Sequence, residues 1–72
     1  MAEQQQALPS FFCPISMQLM TDPVNTCDGH TYERSFIETW LQQHRTSPLT
    51  GSRLPRRDLV PNLALRNAIQ EW

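Results

Sequence analysis

The chain contains no lysine; all six of its basic residues are arginine. Two readings of this stand side by side. Arginine's planar fork makes better bidentate ion pairs, and a lysine-free module offers no side-chain amine for modification. Cysteine is scarce. Cys13 and Cys27 permit one disulfide at most. The first residues are polar and form no basic-then-apolar leader, so both thiols are expected reduced and the protein cytoplasmic or nuclear. No apolar run approaches the roughly 20 residues of a membrane span. Basic charge is not in excess. A net charge of −1 leaves no electrostatic case for nucleic acid or an anionic membrane. Seventy-two residues allow one domain, of a size that is often marginal without staples. No internal repeat is evident.

Zinc ligands are missing where the spacing asks for them. Cys13 and Ser16 stand in a C-x2-C frame, Asp28 and His30 in a C-x-H frame. Glu33 and Phe36, then Ser47 and Thr50, stand in two further x2 frames. A closed zinc cross-brace would need Cys or His at all of these positions. Cys13, Cys27, His30 and His44 do not form the closely spaced pairs that such sites use. No metal and no cofactor are therefore expected. In their place a polar network is expected: Ser16 with Glu33 and Arg34 tying a first loop, and Asp28, His30, Ser47 and Thr50 tying a second. Each such bond is worth about 0.5–1.5 kcal/mol net. No residue reads as catalytic. Cys13 sits among apolar residues with nothing nearby to lower its pKa. Cys27 lies beside Asp28, whose charge opposes a thiolate. His30 has no serine or cysteine partner that the spacing defines, and reads as part of the loop scaffold.

Residues 1–10 read as a flexible, glutamine-rich N-terminal tail. Residues 11–23 read as an irregular loop, because Pro14 and Pro23 block regular pairing. Leu19 and Met20 are expected in the core, and Phe12 fits either core or contact. Val24 to Tyr32 reads as a hairpin around Asp28-Gly29. Residues 34–43 form a helix, with Phe36, Ile37, Trp40 and Leu41 on one stripe. Residues 45–58 form a second loop punctuated by Pro48, Gly51 and Pro55. Leu59-Val60 suits a brief third strand, which Pro61 should end. Asn62 then caps a C-terminal helix whose core face is Leu65, Ala68, Ile69 and Trp72. Tyr32 should be buried with its hydroxyl bonded, and Asp22 should pair with Arg34 across the loops. The fold class is small α+β: a short hairpin plus third strand, a central helix, two long loops and a C-terminal helix. Loops that long in a small domain are usually functional.

Several motifs occur in one order. They are Cys13-Pro14-Ile15-Ser16 with Leu19-Met20 and Asp22-Pro23-Val24; Gly29 to Arg34; Ile37, Trp40 and Leu41; Ser47-Pro48-Leu49-Thr50; and Leu59 to Ile69. Together they resemble the U-box domain of E3 ubiquitin ligases, over residues 11–72. The resemblance implies a RING-like fold without zinc. It also implies a shallow groove, formed by Ile15, Met17, Trp40 and Pro48, that holds a ubiquitin-charged E2 conjugating enzyme. Trp40 also fits the helix stripe, so core and groove both claim it. The implied activity is a scaffold-type ubiquitin-protein transferase with no covalent intermediate of its own. Many U-box ligases carry a basic residue where this chain has Gly51, with Arg53 two positions on. The alternative reading is an interaction or dimerisation module without ligase activity. A protein substrate would be recruited through regions outside this chain. The helix ending on Trp72 offers an apolar edge for a homodimer.

Overall fold

A computed structural model describes residues 8–72. Of the expected tail, residues 1–7 lie outside the described residues, and residues 8–10 are more structured than expected. Pro9–Phe11 make a single 3-10 turn, closed by the Phe11 N–H on the Leu8 carbonyl at 2.9 Å. Proline suits the first position of such a turn, where its missing N–H costs nothing. The turn also buries Phe11.

The remaining elements are β1 (Pro23–Asn25), β2 (Thr31–Glu33), α1 (Arg34–Gln43), β3 (Val60–Pro61) and α2 (Leu63–Glu71). The sheet has the order β2-β1-β3, antiparallel throughout. Gly29, at φ 91°, turns the β1–β2 hairpin, a backbone angle that carries no side-chain penalty for glycine. β1 is the central strand, so Val24 is fully buried between its neighbours and the helices. Pro61 does not end the third strand as expected; it lies inside it, opposite Val24. The Asn62 N–H bonds the Pro23 carbonyl, which leaves Pro61 at a non-hydrogen-bonded position of an edge strand. There the missing N–H removes no ladder bond.

The core comprises Phe11, Cys13, Met20, Val24, Tyr32, Ile37, Leu41, Leu54 and Ile69. Leu19 is not in it. Leu19 is exposed and pairs backbone to backbone with Phe12, itself exposed, while Met20 turns inward. The two-residue period of an extended segment sends neighbours to opposite sides. In α2 the Asn62 side chain accepts the Leu65 N–H at 3.1 Å, the expected cap. The buried face of α2 is narrower than expected. Ile69 is buried and Leu65 half-buried, but Ala68 is exposed. Trp72, half-exposed, meets the Phe11 ring edge-on at 6.3 Å. Nine residues of helix lie over β1, and a single contact line buries about one residue per turn.

The two loops are built alike. In residues 11–20 the Met17 N–H bonds the Cys13 carbonyl, the Cys13 N–H bonds the Gln18 carbonyl, and the Met20 N–H bonds the Phe11 carbonyl. In residues 45–54 the Gly51 N–H bonds the Ser47 carbonyl, the Ser47 N–H bonds the Ser52 carbonyl, and the Leu54 N–H bonds the Arg45 carbonyl. The bridge pairs Phe12–Leu19 and Thr46–Arg53 correspond as well. Each loop is a small ribbon whose tip holds one residue at positive φ: Met17 at 63° and Gly51 at 76°. This local repeat is one of structure, in a chain whose sequence shows none. It resides in backbone geometry, and Pro14 with Pro48 is the single identity across the ten matched positions.

Candidate functional site

The first ribbon and α1 enclose a groove of about 500 Å³. Its helix side is Ser35, Phe36, Thr39, Trp40 and Gln43, residues that recur at the helical period, with His44 just beyond. Its loop side is Ser16 and Gln18, and Glu33 lies at one end. The Trp40 indole is half-buried against the core. Its Nε1–H donates to the Thr46 carbonyl at 2.7 Å, and His44 stacks on the ring at 3.9 Å. The Trp40 ring therefore touches the core, as its place on the helix stripe implies, and also lines this groove. Of the other three expected contact residues, Met17 projects from the ribbon tip with 74% of its surface exposed. Ile15 and Pro48 are half-buried, Ile15 against the core. None of those three lines the groove itself. Thr39 and Gln43 were not singled out in the sequence, and Phe36 was placed on the apolar helix stripe but not among the contact residues, although their spacing with Trp40 marks one helix face.

The polar ties that hold the ribbons differ in detail from the expected network. Glu33 does anchor the first loop, but to residues 21 and 22 rather than to Ser16. Its carboxylate accepts the Thr21 N–H at 2.8 Å and the Asp22 N–H at 3.1 Å. Because that carboxylate faces the loop, it is not used to cap α1, which it precedes. The Arg34 Nε–H donates to Asp22 at 2.7 Å. The Ser16 Oγ accepts the Gln18 N–H within its own loop. In the second loop the Ser47 Oγ accepts the N–H groups of Leu49 and Thr50, and it meets the buried Tyr32 hydroxyl at 3.3 Å. The Thr50 hydroxyl accepts the Ser52 N–H at 3.2 Å, the counterpart of Ser16 with Gln18. Asp28 and His30 do not tie the second loop. Asp28 accepts the Thr26 hydroxyl, and the His30 carbonyl accepts the Thr26 N–H, so both brace the hairpin turn. The sequence offered no strong signal for Thr21 or Thr26.

The family model described as U-box domain matches residues 8–72. The chain belongs to the U-box family. It is 55% identical over 71 residues to U-box domain-containing protein 37 of Arabidopsis thaliana, covering 97% of this chain and 18% of the relative. It is 51% identical over 73 residues to U-box domain-containing protein 70 of Oryza sativa subsp. japonica, covering 99% of this chain and 9% of the relative. The chain thus spans less than a fifth of the length of these relatives. U-box domains are of the E3 ubiquitin ligase type.

Within this U-box, Cys13 occupies in the first ribbon the place that Ser47 holds in the second. Burial pushes the Cys13 thiol up, but the N–H groups of Glu33, Ser16 and Ile15, with the Ser16 hydroxyl, outweigh it and set the thiol below its usual range. This corrects the expectation that nothing near Cys13 lowers its pKa. The residue is fully buried, and its backbone N–H and carbonyl bond across the first ribbon as those of Ser47 do across the second. Burial likewise raises the Tyr32 phenol above its ordinary value, against the bond from Ser47. No group of three or more His, Cys, Asp or Glu side chains is placed to hold a metal ion among the described residues. Nor, among them, is any helix long and apolar enough to cross a membrane.

Proposed function

We propose that this U-box binds a ubiquitin-charged conjugating enzyme across the groove and speeds ubiquitin transfer to a substrate lysine. Met17 at the ribbon tip, Ile15 behind it, Trp40 on α1 and Pro48 on the second ribbon are the contact residues. The observation that carries this reading is Met17. It sits at the tip position that Gly51 fills in the matching ribbon, with the same positive φ. A side chain there is strained by about 1 kcal/mol relative to glycine. Met17 recovers little of that by packing, since most of its surface faces solvent. A large apolar side chain held out at such a position serves a partner better than it serves the fold. A few such anchors carry most of the energy of an interface.

No side chain of the domain needs to react. Acceleration comes from holding the thioester-linked ubiquitin in conformations open to attack, a matter of orientation and population. The contact is small, so exchange of one carrier for the next is fast. Substrate recruitment belongs to regions or partners beyond this domain, and the setting is cytoplasmic or nuclear.

The test is lysine discharge from a panel of ubiquitin-charged conjugating enzymes, with and without the domain. The domain has no lysine, so loss of thioester in the presence of free lysine reports transfer rather than self-modification on a lysine side chain. Met17→Ala, Ile15→Ala, Trp40→Ala and Pro48→Ala should each lower the stimulation, about tenfold where 1.4 kcal/mol of docking energy is lost. Binding without discharge would favour the reading of an interaction module. Gly51 is the observation that favours it, because glycine offers no basic group. Its Cβ position is open to solvent, and Met17 shows that the matching slot tolerates a side chain. Gly51→Arg therefore tests whether a basic residue restores discharge.

A further inference from the structure

We propose that the Met17 thioether is a modification site for hydroperoxides, and that its oxidation switches off docking at the groove. The second half rests on the docking reading above; the first does not. Four sulfur atoms lie among the described residues, and they differ sharply in access. Cys13 is 0% exposed and Met20 1%, whereas Met17 is 74% exposed. Cys27 is half-buried, with its Sγ on the Arg56 carbonyl at 3.4 Å. Met17 therefore presents the open sulfur, and Met20, three residues along the same ribbon, is a built-in control.

In the reaction the Met17 sulfur lone pair attacks the terminal oxygen of the hydroperoxide. The S–O bond forms as the O–O bond breaks. The proton on the transferred oxygen passes to the departing oxygen, which leaves as water when the oxidant is hydrogen peroxide. Sulfur is oxidised by two electrons and the peroxide is reduced by two. The product sulfoxide is polar and chiral, and reductases return it to the thioether. The ribbon should survive the change. Its tip is held by backbone bonds, the Met17 N–H on the Cys13 carbonyl and the Cys13 N–H on the Gln18 carbonyl, which the side-chain sulfur does not enter. The apolar anchor becomes a hydrogen-bond acceptor, which docking would have to strip of water without a matched donor.

The experiment treats the chain with hydrogen peroxide, maps added oxygen by peptide mass, and measures thermal unfolding and lysine discharge on the same sample. The expected result is one oxygen on Met17 before Met20 or Cys27, an unchanged melting temperature, and stimulation reduced to the level of Met17→Ala. Methionine sulfoxide reductase should restore it, and whatever stimulation Met17→Leu retains should be the same before and after peroxide. Oxygen appearing first on Met20 or Cys27 overturns the site. An equal fractional loss on peroxide treatment of Met17→Leu, or full activity of the sulfoxide form, overturns the switch. If the reduced chain stimulates no conjugating enzyme, the docking reading and the switch fail together, and the mass map still decides the site.

Discussion

Removing the Glu33 carboxylate should loosen the first loop without unwinding the helix that follows it. In Glu33→Ala, two backbone donors, the N–H groups of Thr21 and Asp22, lose a charged acceptor at 2.8 and 3.1 Å, and the Thr21 hydroxyl loses contacts at 3.4 Å. Hydrogen bonds to charged groups contribute about 1.5–3 kcal/mol each. Thr21 is exposed and Asp22 half-buried, so water replaces part of what is lost, and about 2 kcal/mol for the pair is the reasonable sum. For a domain of this size each kcal/mol moves Tm by about 4–8 °C, so the expected fall is about 8–16 °C. Glu33→Gln should lose a similar amount, because its amide directs an NH2 group at one of the two N–H donors. Thermal and urea unfolding followed by far-UV circular dichroism measure this directly. Helix content before the transition should be unchanged, since the Glu33 side chain does not cap α1. Discharge should fall as well, because Ser16, Gln18 and Met17 ride on the loop that Glu33 anchors. A loss below about 0.5 kcal/mol, the scale of an ordinary surface substitution, would refute the reasoning. It would mean that buried Met20 and Cys13 hold the loop without the carboxylate.

Acid stability carries a second prediction. Burial raises the Asp28 carboxyl, but the Thr26 hydroxyl, the His30 N–H and the His30 charge outweigh it, so the group lies below its ordinary value of 3.8. A carboxylate depressed on folding stabilises fully above its unfolded pKa, and that contribution is lost as the pH falls from about 4 through the lowered value. Asp28→Asn should therefore flatten the acid side of a stability–pH curve below about pH 4, checked by urea midpoints between pH 2 and 7; an unchanged acid limb would count against it. The third concerns Met17→Gly. Relief of positive φ offsets the added freedom of the unfolded chain, so stability should hold or rise by up to about 1 kcal/mol. Discharge should fall meanwhile, and a variant that keeps both would remove Met17 from the contact surface.

The features legible in the sequence are those that side-chain type determines locally. Asp28-Gly29 marks a turn because few residues accept positive φ. Asn62 marks a helix start because its oxygen reaches the Leu65 N–H. Ile37 and Leu41 mark a buried helix face because helical spacing puts them on one side. The misplaced features depend on register instead. Pro61 reads as a strand breaker until its neighbour Asn62 is seen to make the ladder bond. Leu19 and Met20 are equally apolar, and only the ribbon's pleat decides which one enters the core. Ala68 falls on the right helical stripe, but the sheet beneath α2 is too narrow to cover it.

The site divides along the same line. For Trp40 the helix stripe marks the core contact and the family resemblance marks the groove, and the ring meets the core and lines the groove beside α1. The equivalence of the two ribbons is readable only in the matching frames Cys13-Pro14-Ile15-Ser16 and Ser47-Pro48-Leu49-Thr50; backbone N–H and carbonyl groups, which every residue type supplies, carry the rest. That equivalence changes what individual residues mean. Cys13 and Ser47 become one position with two chemistries, each with its carbonyl accepting the tip N–H four residues on. Ser16 and Thr50 become another, each accepting the N–H two residues on. Met17 and Gly51 become a third, and there the two loops part. A backbone that requires only glycine at its tip carries methionine in one copy, against a steric penalty and with little burial in return. Stability alone would favour glycine at both tips, so the difference between them is the part of this domain that folding does not explain and that the proposed docking would.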